Sequence, residues 1–113
     1  MVKIHFWQDK DNHIACMKVK GHARTAPNGA DLICASASML VYTLAQAMVF
    51  MYEHGCLEKR PKIRIQEGNA SVSVIFKEEY YAEVLHAFWV VQSGAYVLAK
   101  NYPLAVSTNH LTV

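Results

Sequence analysis

Residues 32–52 read LICASASMLVYTLAQAMVFMY, 21 residues without a formal charge. A run of that length is long enough to cross a bilayer, whose hydrocarbon core is about 30 Å thick. Packed against a sheet, the same run is the central helix of a soluble domain. Four features favour the second reading. Ser36, Ser38, Thr43 and Gln46 interrupt the run and four of its residues are alanine. Ile33, Ala37, Leu40, Leu44, Ala47 and Met51 recur at threes and fours, which makes one apolar stripe on a helix. The stretch is a single one, and the rest of the chain is patterned like a soluble domain. We therefore expect an amphipathic core helix from Asp31 onward, stopped at Gly55, and no membrane partner.

Working outward from that helix, Val2, Ile4 and Phe6 alternate with Lys3, His5 and Trp7, the period of a half-buried strand. Asp9, Asp11 and Asn12 form a turn, and residues 13–20 read as a second strand, which makes a hairpin. Residues 21–30 contain Gly21, Pro27, Asn28 and Gly29 and predict a surface loop with few apolar anchors, free to fold over a neighbouring site when that site is occupied. Beyond the helix, Ile63 and Ile65 pair with Val72, Val74 and Phe76 across EGNA at 67–70 as a second hairpin. Glu78 and Glu79 acidify the start of another helix, with Val84, Phe88, Val91, Ala95 and Leu98 as its stripe and 101–103 as its stop. Residues 104–113 read as a last strand. The order ββαββαβ implies an α+β fold of two layers, an antiparallel or mixed sheet with both long helices on one face.

The chain has 113 residues, which bounds it to one domain, and 53% hydrophobic with 18% charged residues excludes a disordered one. Net charge is +2 and the lysines and arginines are scattered in sequence; KRPKIR at 59–64 is the one basic run. It reads as a solvated face, so direct nucleic-acid binding is not expected. Cys16, Cys34 and Cys56 are odd in number and lack CxxC spacing, which fits a reducing, cytoplasmic compartment. The N-terminal MVKIHFWQDKD has no apolar core of a signal peptide. The six histidines show no paired ligand spacing and no phosphate-loop glycine pattern is present, so neither a metal nor a cofactor is expected.

One constellation carries chemistry. His22 stands just past a strand end and Cys34 near the start of a helix, where unpaired amides and the helix dipole favour a thiolate. Twelve residues apart, the two are brought together at a closure cost of about 2 kcal/mol. An imidazole beside a thiol can take its proton and return it to a leaving amine, the division of labour of Cys/His acyl transfer. Asp31 is either the cap of the helix or a group orienting His22. Ser38, one turn after Cys34, either hydrogen-bonds into the site or permits close packing. A packed cysteine and an unrelated loop histidine account for the same residues, in which case the chain is a noncatalytic protein-binding module. Cys16 and Cys56 have no partner pattern.

Gly21-His22-Ala23, then Gly29, Asp31, Ile33-Cys34-Ala35 and Ser38, resembles the signature of the ribosomal-processing cysteine protease family, Prp. The resemblance extends to chain length and element order. It departs at Ala30 before Asp31 and at Ser36-Ala37 after Ala35, positions that bear on packing. It implies His22 as catalytic base and acid, Cys34 as nucleophile, and supporting places for Gly21, Asp31 and Ser38. It further implies a homodimeric cytoplasmic endopeptidase that removes a short N-terminal extension from large-subunit ribosomal protein twenty-seven by cutting after an aromatic residue. On the same resemblance, the noncatalytic alternative is a module that acts in ribosome assembly.

Overall fold

The computed structural model of the chain describes residues 1–22 and 30–112, with the backbone alone for Ala30 and Asp31. Its elements are β1 (Val2–Asp9), β2 (Ile14–Lys20), α1 (Ala30–Glu53), β3 (Lys62–Gln66), β4 (Asn69–Ile75), a single 3-10 turn (Glu78–Tyr80), α2 (Tyr81–Asn101) and β5 (Val106–Thr112). The expected ββαββαβ order is the observed one. The expected loop at 23–29 lies outside the described residues.

The five strands form one mixed sheet in the order β3-β4-β2-β1-β5. β1 pairs antiparallel with β2 and parallel with β5, while β4 joins β2 to the edge strand β3, antiparallel on both sides. Register aligns the alternating apolar residues into rows. Phe6 lies opposite Met17, Met17 opposite Val72 and Val72 opposite Ile63; Ile4, Val19, Ala70 and Ile65 form the next row. Period-2 strands expose such a row on one side only, so the two helices must cover that side.

On α2 the stripe is the one read from the sequence, whereas on α1 Ile33, Ala37 and Leu44 are buried as expected but Val41, Ala45 and Met48 fill the core in place of Leu40, Ala47 and Met51, which are only partly buried at its margin. Ile33, Ala37, Val41, Leu44 and Met48 of α1 join Val84, Phe88, Val91, Ala95 and Leu98 of α2 in one core with Val2, Ile4, Phe6, Met17 and Val72. Each large side chain fully buried there contributes about 2 kcal/mol. α1 is still long and apolar enough for a membrane span by length and composition. Its buried stripe and its place on the sheet make it a core helix. α1 and α2 approach closely at Gly94, where a Cβ would stand 2.6 Å from a Leu40 methyl.

Local chemistry sets the boundaries. α1 stops where Gly55 takes φ +78. There Cys56 N–H donates to Met51 O at 2.9 Å and Gly55 N–H to Tyr52 O at 3.0 Å, the paired bonds of a Schellman end. β2 begins at Ile14 rather than residue 13 because His13, with φ +60, belongs to the turn. In that turn the Asp9 carboxylate accepts hydrogen bonds from the Asn12 side chain and backbone, which hold it below the usual carboxylate range. Glu78 and Glu79 fall in the 3-10 turn, so α2 starts later than they implied.

Candidate active site

β2 ends at Lys20, and the next two residues turn out of the sheet toward the hairpin of β3 and β4. Gly21 takes φ +99, and its N–H donates to Gly68 O at 3.0 Å. A Cβ on Gly21 would collide with the Met1 carbonyl oxygen, so glycine is required there for conformation and for space. The Met1 amine donates to the His22 carbonyl at 2.8 Å. The half-buried imidazole of His22 then lies against Gly68, whose own φ is +72. Strand β1 and the β3–β4 turn thus hold His22 from two sides.

Cys34 approaches from the helix layer. α1 begins at Ala30, one residue before the expected start, so Cys34 opens the second turn instead of sitting in the first. Among the described residues, the amides in the first turn of α1 without helical partners belong to residues 30–32. Because Cα–Cβ bonds tilt toward the helix N-terminus, the Cys34 side chain leans back over that turn. Asp31 is inside the first turn rather than before it as a cap, and its side chain lies outside the described residues.

His22, Cys34 and Ser38 line one cavity of about 350 Å³. Its apolar floor is Val2, Val19, Ala37, Val41, Ile65 and Ala70, and Gln66, Glu67, Gly68 and Asn69 form a rim, with Gly21 beside His22. All five residues singled out in the sequence therefore fall at this end of the fold, Asp31 by its backbone alone. Ser38 sits one turn beyond Cys34, while Ser36 returns its hydroxyl to Leu32 O at 2.8 Å. Of the three free thiols Cys34 is half-buried and Cys16 and Cys56 are buried. Burial pushes the Cys16 thiol up, partly offset by Lys18 and a hydrogen bond with Ser73. Among the described residues no three His, Cys, Asp or Glu side chains gather as a metal site.

The β3–β4 turn is the part of the site that sequence reasoning missed. EGNA was legible as a hairpin turn, but nothing local shows that this turn abuts the end of β2. That contact exists because β4 inserts beside β2, and Asn69 pairs with Lys20.

A family model described as cysteine protease Prp matches residues 1–106. The chain belongs to the cysteine protease Prp family. It is accordingly a cysteine peptidase, and membership decides against the noncatalytic reading. Solved structures share the fold. SMU.848 from Streptococcus mutans superposes with a TM-score of 0.71 at 22% identity, covering 100% of this chain and 96% of that one. The essential ribosomal processing protease Prp from S. aureus, in complex with a substrate peptide, gives 0.70 at 14% identity over 97% of this chain and 99% of the other. The same S. aureus protease with a covalently linked product peptide gives 0.65 at 15% identity, with 97% and 99% covered. No curated protein matches the chain.

Proposed function

We propose that this peptidase uses a Cys34/His22 dyad to remove a short N-terminal extension from large-subunit ribosomal protein twenty-seven, in the cytoplasm. The observation that carries the reading is that His22 and Cys34, from a strand end and a helix start, line one cavity in a chain of the Prp family. His22 takes the Cys34 proton, and the sulfur adds to the scissile carbonyl carbon. Amides in the first turn of α1 stabilise the resulting oxyanion. The imidazolium returns its proton to the departing amine, and water then hydrolyses the thioester with His22 again as base. The apolar floor of Val2, Val19, Ala37, Val41, Ile65 and Ala70 suits an aromatic side chain just before the cut, since the two alanines leave room for a ring. The relative from S. aureus is described as a ribosomal processing protease with a substrate peptide, which supports a peptide substrate here.

The same reading includes a homodimer. Leu32, Met39, Tyr42 and Phe50 are exposed on α1, and Trp89, Val90, Tyr96 and Val97 on α2. On each helix these residues lie opposite the buried stripe, so the outer side of the helix layer is apolar, as a surface that meets a second copy is. Sedimentation of the wild type at twice the chain mass, shifting to monomer in Val90→Glu, supports this; a monomer at every concentration refutes it.

The decisive assay mixes the protein, under reducing conditions, with ribosomal protein twenty-seven carrying an N-terminal extension. A product shortened by the extension, absent with Cys34→Ala, is the expected result. No change in mass would remove the substrate assignment.

A further inference from the structure

Among the described residues, the helices cover one side of the sheet and no helix covers the other. Alternation along the strands puts Lys3, His5 and Trp7 of β1, Lys18 and Lys20 of β2, and Lys62 and Arg64 of β3 on the bare side. Register brings them together: Lys20 lies opposite Lys3, Lys18 opposite His5, and Ser71 stands between Lys18 and Arg64. Five of the chain's 11 lysines and arginines thus share one surface, and all five are exposed. The strand residues facing this way include a single acid, Asp9 at one corner, and Asn12 already binds its carboxylate. Like charges set directly opposite each other, as Lys3 and Lys20 are, destabilise a sheet until an anion lies between them.

We propose that this side of the sheet binds single-stranded RNA. Lys3 and Lys20 are about 5 Å apart across adjacent strands, Lys18 and Lys20 and likewise Lys62 and Arg64 about 7 Å apart along theirs, and the β3 pair stands about 10 Å from the β2 pair across β4, each within about a Debye length of the next, so their fields overlap. Ser71, Ser73, Asn69 and Asn109 supply hydrogen-bonding groups among the cations. Trp7 and His5 present rings at the centre of the surface, and the His5 ring is held by the Asn109 side chain. A cationic sheet with central rings lets bases stack while the phosphates meet lysine and arginine. An anionic membrane fits less well, because Trp89, Val90, Tyr96 and Phe50 are on the outer sides of the helices and Leu111, opposite Trp7, is the one large exposed apolar strand residue on the cationic side, too little to insert into a bilayer.

The cavity of Cys34 and the RNA surface meet only at the rim residues Gln66 and Asn69, and none of the five cations lines the cavity, so the two activities are separable and the inference does not depend on which peptide is cut. The test is fluorescence anisotropy of a labelled oligouridylate of about 15 nucleotides with the full chain. Binding should weaken between about 50 and 200 mM salt with a log–log slope near −3.5, the value for five neutralised phosphates on a single strand. Lys18→Gln/Lys20→Gln/Arg64→Gln should bring the slope near −1.4, since two cations remain, while far-UV circular dichroism and peptide cleavage stay at wild-type level. Lys18→Arg/Lys20→Arg, which keeps the charge, should retain binding, and so should Lys59→Gln/Arg60→Gln, which lies outside the strands. The proposal is overturned by absence of binding at low salt, by an unchanged slope in the triple variant, or by loss of binding in either control. Binding to phosphatidylserine vesicles without binding to the oligonucleotide overturns it in favour of a membrane.

Discussion

The imidazole of His22 rests against the α-carbon of Gly68. A Cβ built at Gly68 would stand 2.5 Å from His22 Nε2 and 3.0 Å from Cε1. In Gly68→Ala the ring must therefore move, and a displacement of about 1 Å at a catalytic group can lower the rate about 100-fold. The positive φ of +72 adds a backbone cost of about 1–2 kcal/mol. Gly55 separates the two effects, since it has φ +78 and nothing within 4 Å of its built Cβ. Gly55→Ala should lower Tm by a similar amount and leave kcat/KM unchanged. Equal loss of activity in both variants would show that Gly68 matters for stability alone.

Cys34→Ala and Cys34→Ser should each abolish cleavage of an extended substrate. The side chain is half-buried and small, so stability should change by no more than about 1 kcal/mol. Mass spectrometry of the product and a thermal melt check the two halves of this expectation; retained cleavage by a folded variant would remove Cys34 as nucleophile.

Alkylation should discriminate among the thiols. Iodoacetamide should label Cys34 first, because Cys16 and Cys56 are buried and burial raises the Cys16 thiol further. Peptide mapping after brief labelling gives the order of reaction. Inactivation that tracks Cys16 or Cys56 instead would point away from the cavity.

Filling the cavity should change specificity. Ala70 and Ala37 are buried residues of its wall, and Ala70→Val adds methyl groups where a substrate ring would enter. Discrimination between peptides with phenylalanine and with alanine before the cut should fall about tenfold, the scale of a few buried methylenes. The ratio of kcat/KM for that peptide pair is the measurement, and an unchanged ratio would place the aromatic side chain elsewhere.

Acid should weaken the β1–β2 turn in a defined direction. Asn12 holds the Asp9 carboxyl below its ordinary value in the folded chain. A group lowered in this way contributes stability at pH values above its unfolded-state value, about 3.9, and that contribution is lost as pH falls through the folded value. Asn12→Ala should therefore be less stable than the wild type at neutral pH, and the two should converge in strong acid. Urea midpoints at neutral pH and near pH 2 provide the comparison.

Much of this was legible in one dimension. The alternation of Val2, Ile4 and Phe6 and the helical spacing of Ile33, Ala37, Leu44 and Val84, Phe88, Val91 specify strand and helix because burial on one side needs those periods. The unusual grouping of Gly21, His22 and Cys34 marked the candidate site through residue chemistry. Boundaries were less legible. His13 turned out to belong to a turn, Glu78 and Glu79 to a 3-10 turn, and α1 to start before Asp31, because these depend on backbone angles and hydrogen bonds that side-chain pattern does not encode.

By itself the sequence determined which residues of each strand share a side, and which residue types stand ready for thiol chemistry. Only the tertiary structure decided which strands are neighbours. Inserting β4 beside β2 puts the Gly68 turn against His22, and it also brings Lys62 and Arg64 of β3 onto the surface where the β1–β2 hairpin already sets Lys3, Lys18 and Lys20. The physical reason is that alternation is a local property of a strand, whereas strand order is settled by long-range pairing and by how two helices cover a common face.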